Sequence, residues 1–221
     1  MDGSGRLNYI PKAYAATQEM RDLRQLLRHR EWMVNQRTRA KNRVHAVLAG
    51  YNLVSPVTDL FGVTGRKYME EVMEKELRPA AQQVVTDHLA LIDHLKERIH
   101  ALFKSISLDE QEEHIVKLLM SMPGVGRLTA LIILAEIGDI ERFNSPKSLC
   151  SWAGLTPKVH SSDAVVQHGH ITKEGSRYLR TAMVQAATVA CRVSSKWYRT
   201  HSHLALRCGR RCVHKPRFRV V

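Results

Sequence analysis

The stretch 112–137, EEHIVKLLMSMPGVGRLTALIILAEI, holds two helical patterns joined by a glycine-rich turn. Residues Glu112 to Met122 place Ile115, Leu118, Leu119 and Met122 at helical spacing. Leu128 to Ile137 is apolar on nearly every side, which marks a helix surrounded by core, and Gly138 is placed to cap it. Between them Pro123-Gly124-Val125-Gly126 turns the backbone tightly, the arrangement of a helix-hairpin-helix. The first N–H groups of the second helix then lack intrahelical partners. Gly124, Gly126, Arg127 and Thr129 are therefore candidate ligands for a phosphate, favoured by the helix dipole; the plain alternative is an ordinary turn between two helices.

Upstream, Thr17 makes a fair N-cap and the chain from there to about Leu48 contains no Gly or Pro, so one long helix is expected. Its apolar residues, Met20, Leu23, Leu27, Val44, Val47 and Leu48, leave the other faces to Arg21, Arg24, Arg28, Arg37 and Lys41. Gly50 to Gly65 reads as a loop or short turn region, followed by a second helical region from about Arg66 that is broken or kinked near Pro79. From Ala80 to Ile106, Val85, Ile92, Ile99 and Ile106 recur every seven residues, with Leu95 and Leu102 between them. This heptad seam is interrupted only at His88, which reads as a hydrogen-bonded or partly exposed histidine. The seam suits either a hairpin with the first helix or a dimer, and the spacing does not choose.

Composition bounds the function. The chain has 221 residues, enough for one or two domains with a substantial core. Its longest apolar run is too short for a membrane span, no signal pattern opens the chain, and four late cysteines suit free thiols in a reducing cytosol. The formal net charge of +13 is uneven. Residues 21–43 carry eight Lys or Arg against two acids, and residues 175–221 carry eleven with no acid at all. Two basic ends around a mildly acidic middle point to a polyanion, most simply nucleic acid. Arg37 and Lys41 on the long helix are candidate phosphate ligands.

Downstream, the pattern continues through Ala135-Glu136-Ile137-Gly138-Asp139-Ile140, Arg142-Phe143, a short helix near Ser148–Trp152, then Ser151-Trp152-Ala153-Gly154-Leu155-Thr156-Pro157 and the pair Ser161-Ser162. After these come Ile171-Thr172-Lys173, Gly175 and Arg177-Tyr178-Leu179-Arg180. With Pro123-Gly124-Val125-Gly126 and Thr129-Ala130 ahead of it, this order resembles the C-terminal domain of bacterial and archaeal insertion-sequence transposases of the one-ten family. Segments Arg21–Arg24 and Arg37–Leu48 resemble that family's helical linker, so the resemblance covers roughly residues 11 to 190.

The resemblance implies DNA strand cleavage and rejoining for a mobile element, in a prokaryotic cytoplasm at the nucleoid. It implies a serine nucleophile on the DNA phosphate, here Ser162 or its neighbour Ser161, with Ser162 favoured because it precedes the two-residue turn Asp163-Ala164. A serine hydroxyl needs help to attack a phosphodiester, and Lys173, Arg177, Arg180 and His168 or His170 are candidates. The resemblance also implies Mg²⁺ held by an acidic quartet in a separate DEDD domain, DNA and an element-encoded guide RNA as partners, and a homo-oligomer. No metal is expected on this chain alone. Departures from the family pattern are expected to matter. The quartet has no counterpart ahead of residue 7, Asp163-Ala164 replaces a Gly-Gly, and the end after Arg192 is unlike the family's, which suggests a truncated copy. His201, His203, Cys208, Cys212 and His214 could be drawn together as a zinc site, although their spacing matches no familiar finger.

The architecture expected is mostly α: a loop over 1–16, a helical or coiled-coil arm over 17–107, a compact helix-hairpin-helix domain over 108–192 and a basic tail over 193–221. Alternating residues around 158–160 and 168–171 are compatible with a short β-hairpin. The function expected is that of a transposase, the alternative being a non-catalytic helical nucleic-acid-binding module.

Overall fold

The computed structural model describes residues 15–162 and 165–208, with the backbone alone for 159–168 and 204–208. The described chain is mostly α, with eight helices and one two-stranded antiparallel sheet. The described residues divide into two compact units: residues 25–107, and residues 15–24 with those described from 108 to 208.

The first unit is built from α1 (Gln18–Gly50), which continues into it from the other unit, α2 (Val63–Glu76) and α3 (Pro79–Ser105). Thr17 accepts a hydrogen bond from the Met20 N–H, as an N-cap does. Helix α2 begins within the stretch read as a loop, because the chain is anchored ahead of it by the buried Leu60 and the Arg66 N–H donates back to the Gly62 carbonyl. Pro79 opens α3 at its first position, where a missing N–H costs nothing, so the break is complete rather than a kink. The seam of α3 is spent inside the chain. Val85, Leu89 and Ile92 join Ala40, Val44 and Leu48 of α1 and Met69 and Val72 of α2, and Leu95 and Ile99 join Met33. The seam passes through Leu89, one residue beyond His88, whose Nδ1 lies 2.8 Å from the Val84 carbonyl.

The second unit centres on α5 (Arg127–Ile137), with Ala130, Leu131, Ile133, Leu134, Ala135 and Glu136 all buried. It contacts α4 (Glu110–Met120) and α7 (Arg177–Val193), and α7 contacts α8 (Ser195–Cys208). Asp109 and Glu112 form a reciprocal capping box that starts α4. The apolar stripe expected on α4 is only partly inward: Val116 is buried and Leu119 packs on Ile133 and Leu179, while Ile115, Leu118 and Met122 are exposed. Helix α6 (Pro146–Trp152) is capped by Ser145, and β1 (Pro157–Ser162) pairs with β2 (Val165–Ile171). The hairpin is longer than the sequence suggested, and the serine pair belongs to β1 rather than to the turn. Asp163 and Ala164 lie outside the described residues, as do Cys212 and His214. Among the described residues no helix is long and apolar enough to cross a membrane.

A helix buried on all sides still has carbonyls to satisfy at its C-terminus. In α5 the Leu134 carbonyl accepts from the Gly138 N–H at 2.8 Å, Ala135 and Glu136 accept from the Arg24 guanidinium, and Ile137 accepts from Arg142 at 3.2 Å. Both cations also face the negative end of the helix dipole. Arg24→Met keeps the aliphatic stem and strips two charged hydrogen bonds, and should lower unfolding stability by about 2 kcal/mol in urea titrations.

Candidate functional site

Every expected site residue of the second unit sits on α5 and its turn, on the hairpin, in the link that follows it, or at the start of α7. The Pro123–Gly126 turn is fixed from behind by α7. Gly124 has φ +86°, and a side chain there would meet the Ala186 carbonyl oxygen at 2.3 Å and the Ala190 nitrogen at 2.9 Å. This glycine is required by backbone conformation and by close approach, so it shapes the turn. Gly126 is the N-cap of α5, receives no side-chain cap, and faces open space. Arg127 forms a two-pronged bridge to Glu113, Nη1 to Oε1 at 2.7 Å and Nη2 to Oε2 at 3.1 Å. That bridge holds α4 against the start of α5. The Arg127 hydrogen bond keeps the Glu113 carboxyl below the usual carboxylate range and raises Arg127 in turn. Thr129 is half-buried on the first turn of α5.

The foot of the hairpin is locked to the body by backbone contacts. Gly154 has φ +66°, and a side chain there would meet the Glu174 nitrogen at 2.6 Å. A side chain on Gly175 would meet the Trp152 carbonyl oxygen at 2.2 Å. The Thr172 N–H donates to the Thr156 carbonyl and the Lys173 N–H to the Gly154 carbonyl. Lys173 is held at φ +60°, a left-handed conformation that few residues other than glycine adopt, and its side chain is exposed. Arg180 reaches back from α7, and its Nη1 donates to the carbonyls of Ala153 and Gly175. Ser176 caps α7 by accepting from the Leu179 N–H. Arg180 is thus a strut of the hairpin's seat, whereas Lys173 and Arg177 are exposed, Arg177 lying over the Tyr178 ring.

From this foot β1 and β2 run antiparallel to the pairs Ser161↔Val166 and Ser162↔Val165, with an irregularity in register between Pro157 and Val159. The serine pair therefore stands at the far end of the ladder from the clamp. His170 lies near the foot and is exposed. Arg37 and Lys41 belong to the other unit, where the Lys41 ammonium lies 4.6 Å from the centroid of the Phe61 ring. Among the described residues no group of three or more His, Cys, Asp and Glu side chains is placed to hold a metal ion. Spacing alone missed Arg24 and Arg142 as caps of α5. Arg142 lies against a packed pair of aromatic rings, its guanidinium carbon 4.2 Å from the Phe143 centroid and 4.5 Å from that of Trp152, the two centroids being 5.4 Å apart.

Comparison with known proteins places this body among transposase domains. Residues 116–203 match the family model described as "Transposase IS116/IS110/IS902 family". The match runs from α4 through the hairpin into α8. Over longer stretches the chain is similar to a "Probable family 20 transposase" of Pseudomonas aeruginosa, 25% identical over 84% of this chain and 54% of that protein. It is similar also to the "Transposase for insertion sequence element IS1328" of Yersinia enterocolitica, 26% identical over 78% of this chain and 51% of that protein. For the "Transposase for insertion sequence element IS1111A" of Coxiella burnetii the identity is 28%, over 80% and 48%. The chain spans about half the length of these curated relatives.

Two outcomes follow from this geometry. Because Arg127 depresses the Glu113 pKa, the bridge stabilises the fold above the ordinary glutamate range and is lost as pH falls through the depressed value. Melting temperatures of the wild type and Glu113→Gln should differ at pH 7 and converge well below pH about 4. Gly175→Ala forces the Trp152 backbone to shift and should cost about 1–3 kcal/mol, with hairpin amide resonances moving more than those of α5.

Proposed function

We propose that the chain acts in DNA transposition of an insertion sequence, with the Ser162 hydroxyl as nucleophile on a DNA phosphodiester and Ser161 as the alternative. The observation that carries this reading is the position of the serine pair at one end of a two-stranded ladder whose other end is clamped to the helical body, within a transposase family domain. A nucleophile gains most from being held at a fixed place on a rigid support, and a clamped hairpin supplies one. In the step proposed, serine oxygen bonds to phosphorus, the serine proton leaves, and the displaced sugar oxygen takes up a proton. The phosphodiester is retained as a serine ester, so a second sugar hydroxyl can rejoin the strand by the reverse exchange.

The protein's part is to hold phosphates and offset the charge that builds on them. Exposed Lys173 and Arg177 are the cations proposed for the reacting phosphate, with His168 or His170 as proton carriers. Arg180 positions the hairpin. The open start of α5 at Gly126, with Thr129 in its first turn, is proposed for a neighbouring phosphate, together with Arg127 if it leaves Glu113. Partners proposed are element-end and target DNA, an element-encoded guide RNA, and a second copy of the chain. Mg²⁺ is proposed as a requirement of the whole reaction, bound outside the described residues.

The test is covalent capture on element-end DNA with magnesium and guide RNA, with an acidic-quartet domain supplied in trans. A serine-linked adduct should form with wild type and Ser161→Ala and vanish with Ser162→Ala, while DNA affinity of all three stays within about twofold. Loss only in Ser161→Ala moves the nucleophile by one residue. Binding with no adduct in any of them would replace catalysis by a nucleic-acid-holding role.

A further inference from the structure

Helices α1 and α3 enclose a cleft of about 550 Å³ that is built entirely within the first unit, outside the family-matched residues. From α1, Arg30 and Arg37 line it. They stand seven residues apart, two turns of one helix face, or about 10 Å along the axis. From α3, Lys96 and His100 line it, over Ile99 and Phe103.

The charges in this cleft are not balanced. Arg30 is half-buried, its guanidinium carbon lies 5.6 Å from the Phe103 centroid, and its Nε is fully buried without a hydrogen-bond partner. Burial and, secondarily, repulsion by Arg37 work against its charged form. Among the described residues neither arginine has a carboxylate within ion-pair distance. Asp93 also lines the cleft, but its carboxylate is held by Arg66 at 2.6 Å. That leaves Glu97 as the one uncommitted carboxylate there among the described residues, against Arg30, Arg37 and Lys96. A merely solvated basic face would keep its donors in water. The Arg30 Nε is closed off from the cleft, so an anion seated there would meet the terminal guanidinium nitrogens of Arg30 and Arg37, whose charge no carboxylate among the described residues offsets at ion-pair distance.

Guanidinium forks match phosphate oxygens in shape as well as charge. The cleft is larger than an inorganic ion needs and falls within the usual range of about 300–1,000 Å³ for ligand sites. We infer that this cleft binds a backbone phosphate of a nucleic-acid strand, with Arg30 and Arg37 as its ligands and Lys96 at its rim. The inference deepens the transposition reading and rests on it for the source of the phosphate. It adds a hold on nucleic acid in the helical unit, beyond the residues of the serine hairpin.

The test pairs two readouts. Fluorescence anisotropy against a random-sequence duplex and a single-stranded RNA, across a salt series, compares wild type with R30Q/R37Q and with R39Q/R43Q, which removes two other charges of the same helix. The cleft variant should bind the duplex at least about tenfold more weakly, with a salt slope shallower by about 1.8, and the control should change by less than about threefold. Nitrogen-15 spectra of the Arg30 Nε–H during titration with inorganic phosphate, at constant ionic strength, report the cleft itself and should shift. Thermal melts should show R30Q/R37Q folded and at least as stable as wild type, since an unpaired repulsive pair has been removed.

If phosphate shifts Arg30 but the variant binds both nucleic acids normally, the site takes free phosphate and the nucleic-acid assignment is overturned. If Arg30 does not respond and affinity is unchanged, the cleft is overturned while the Ser162 adduct still decides the transposition reading. Binding of poly-glutamate that the variant loses, without loss of nucleic acid, would give the cleft to an acidic protein segment instead. If wild type binds neither nucleic acid, the transposition reading loses its substrate and this inference falls with it, whatever phosphate does at Arg30.

Discussion

A helix with apolar residues on every side can exist only if the rest of the chain closes around it and answers its terminal polar groups, and α5 imposes both demands on the second unit. Its sides are met by α4 and α7. Its C-terminal carbonyls are met by a backbone turn at Gly138 and by the guanidinium groups of Arg24 and Arg142. Its start is tied to α4 by the Arg127–Glu113 bridge, and the turn before it can approach α7 only because residue 124 has no side chain. Cations that look like surface charge in the sequence are in three cases part of the scaffold around this one helix.

The hairpin is seated by the same economy of means. Backbone meets backbone at Gly154 and Gly175, Arg180 donates to two carbonyls across the junction, and Lys173 accepts a left-handed conformation to make the return. A ladder fixed in this way transmits the position of its foot to its far end, where Ser161 and Ser162 stand. The matched domain thus couples a strongly constrained base to a two-stranded ladder that carries the serine pair at its other end.

Much of this was legible in the sequence, and the illegible parts share a cause. Helices α1 and α3 could be read because long stretches without Gly or Pro carry apolar residues at helical spacing, and α5 because no polar face interrupts it. On α4, spacing selected Ile115, Leu118, Leu119 and Met122, yet the buried positions are Val116 and the half-buried Leu119; both sets satisfy helical periodicity, and only the position of α5 and α7 separates them. Charge was legible and partners were not. Arg127 and Arg180 carry the signature of phosphate ligands, but Glu113 lies fourteen residues away and the Ala153 carbonyl twenty-seven, distances over which local pattern carries no information. Arg30 was hidden among eight basic residues of one segment, and becomes distinct only when α3 buries its Nε. The serine pair could be picked out by resemblance, while its place in a strand depended on how far the ladder extends.

The seam of α3 bears on how copies of the chain can associate. Val85, Leu89, Ile92, Leu95 and Ile99 are already covered by α1 and α2 of the same molecule. Two copies that paired through these residues would each first have to release their own α1, so assembly by that route is a domain swap with an opening step ahead of encounter. Its rate would be set by local unfolding and would level off as protein concentration rises, whereas a dimer built on any other surface would form at a rate proportional to concentration.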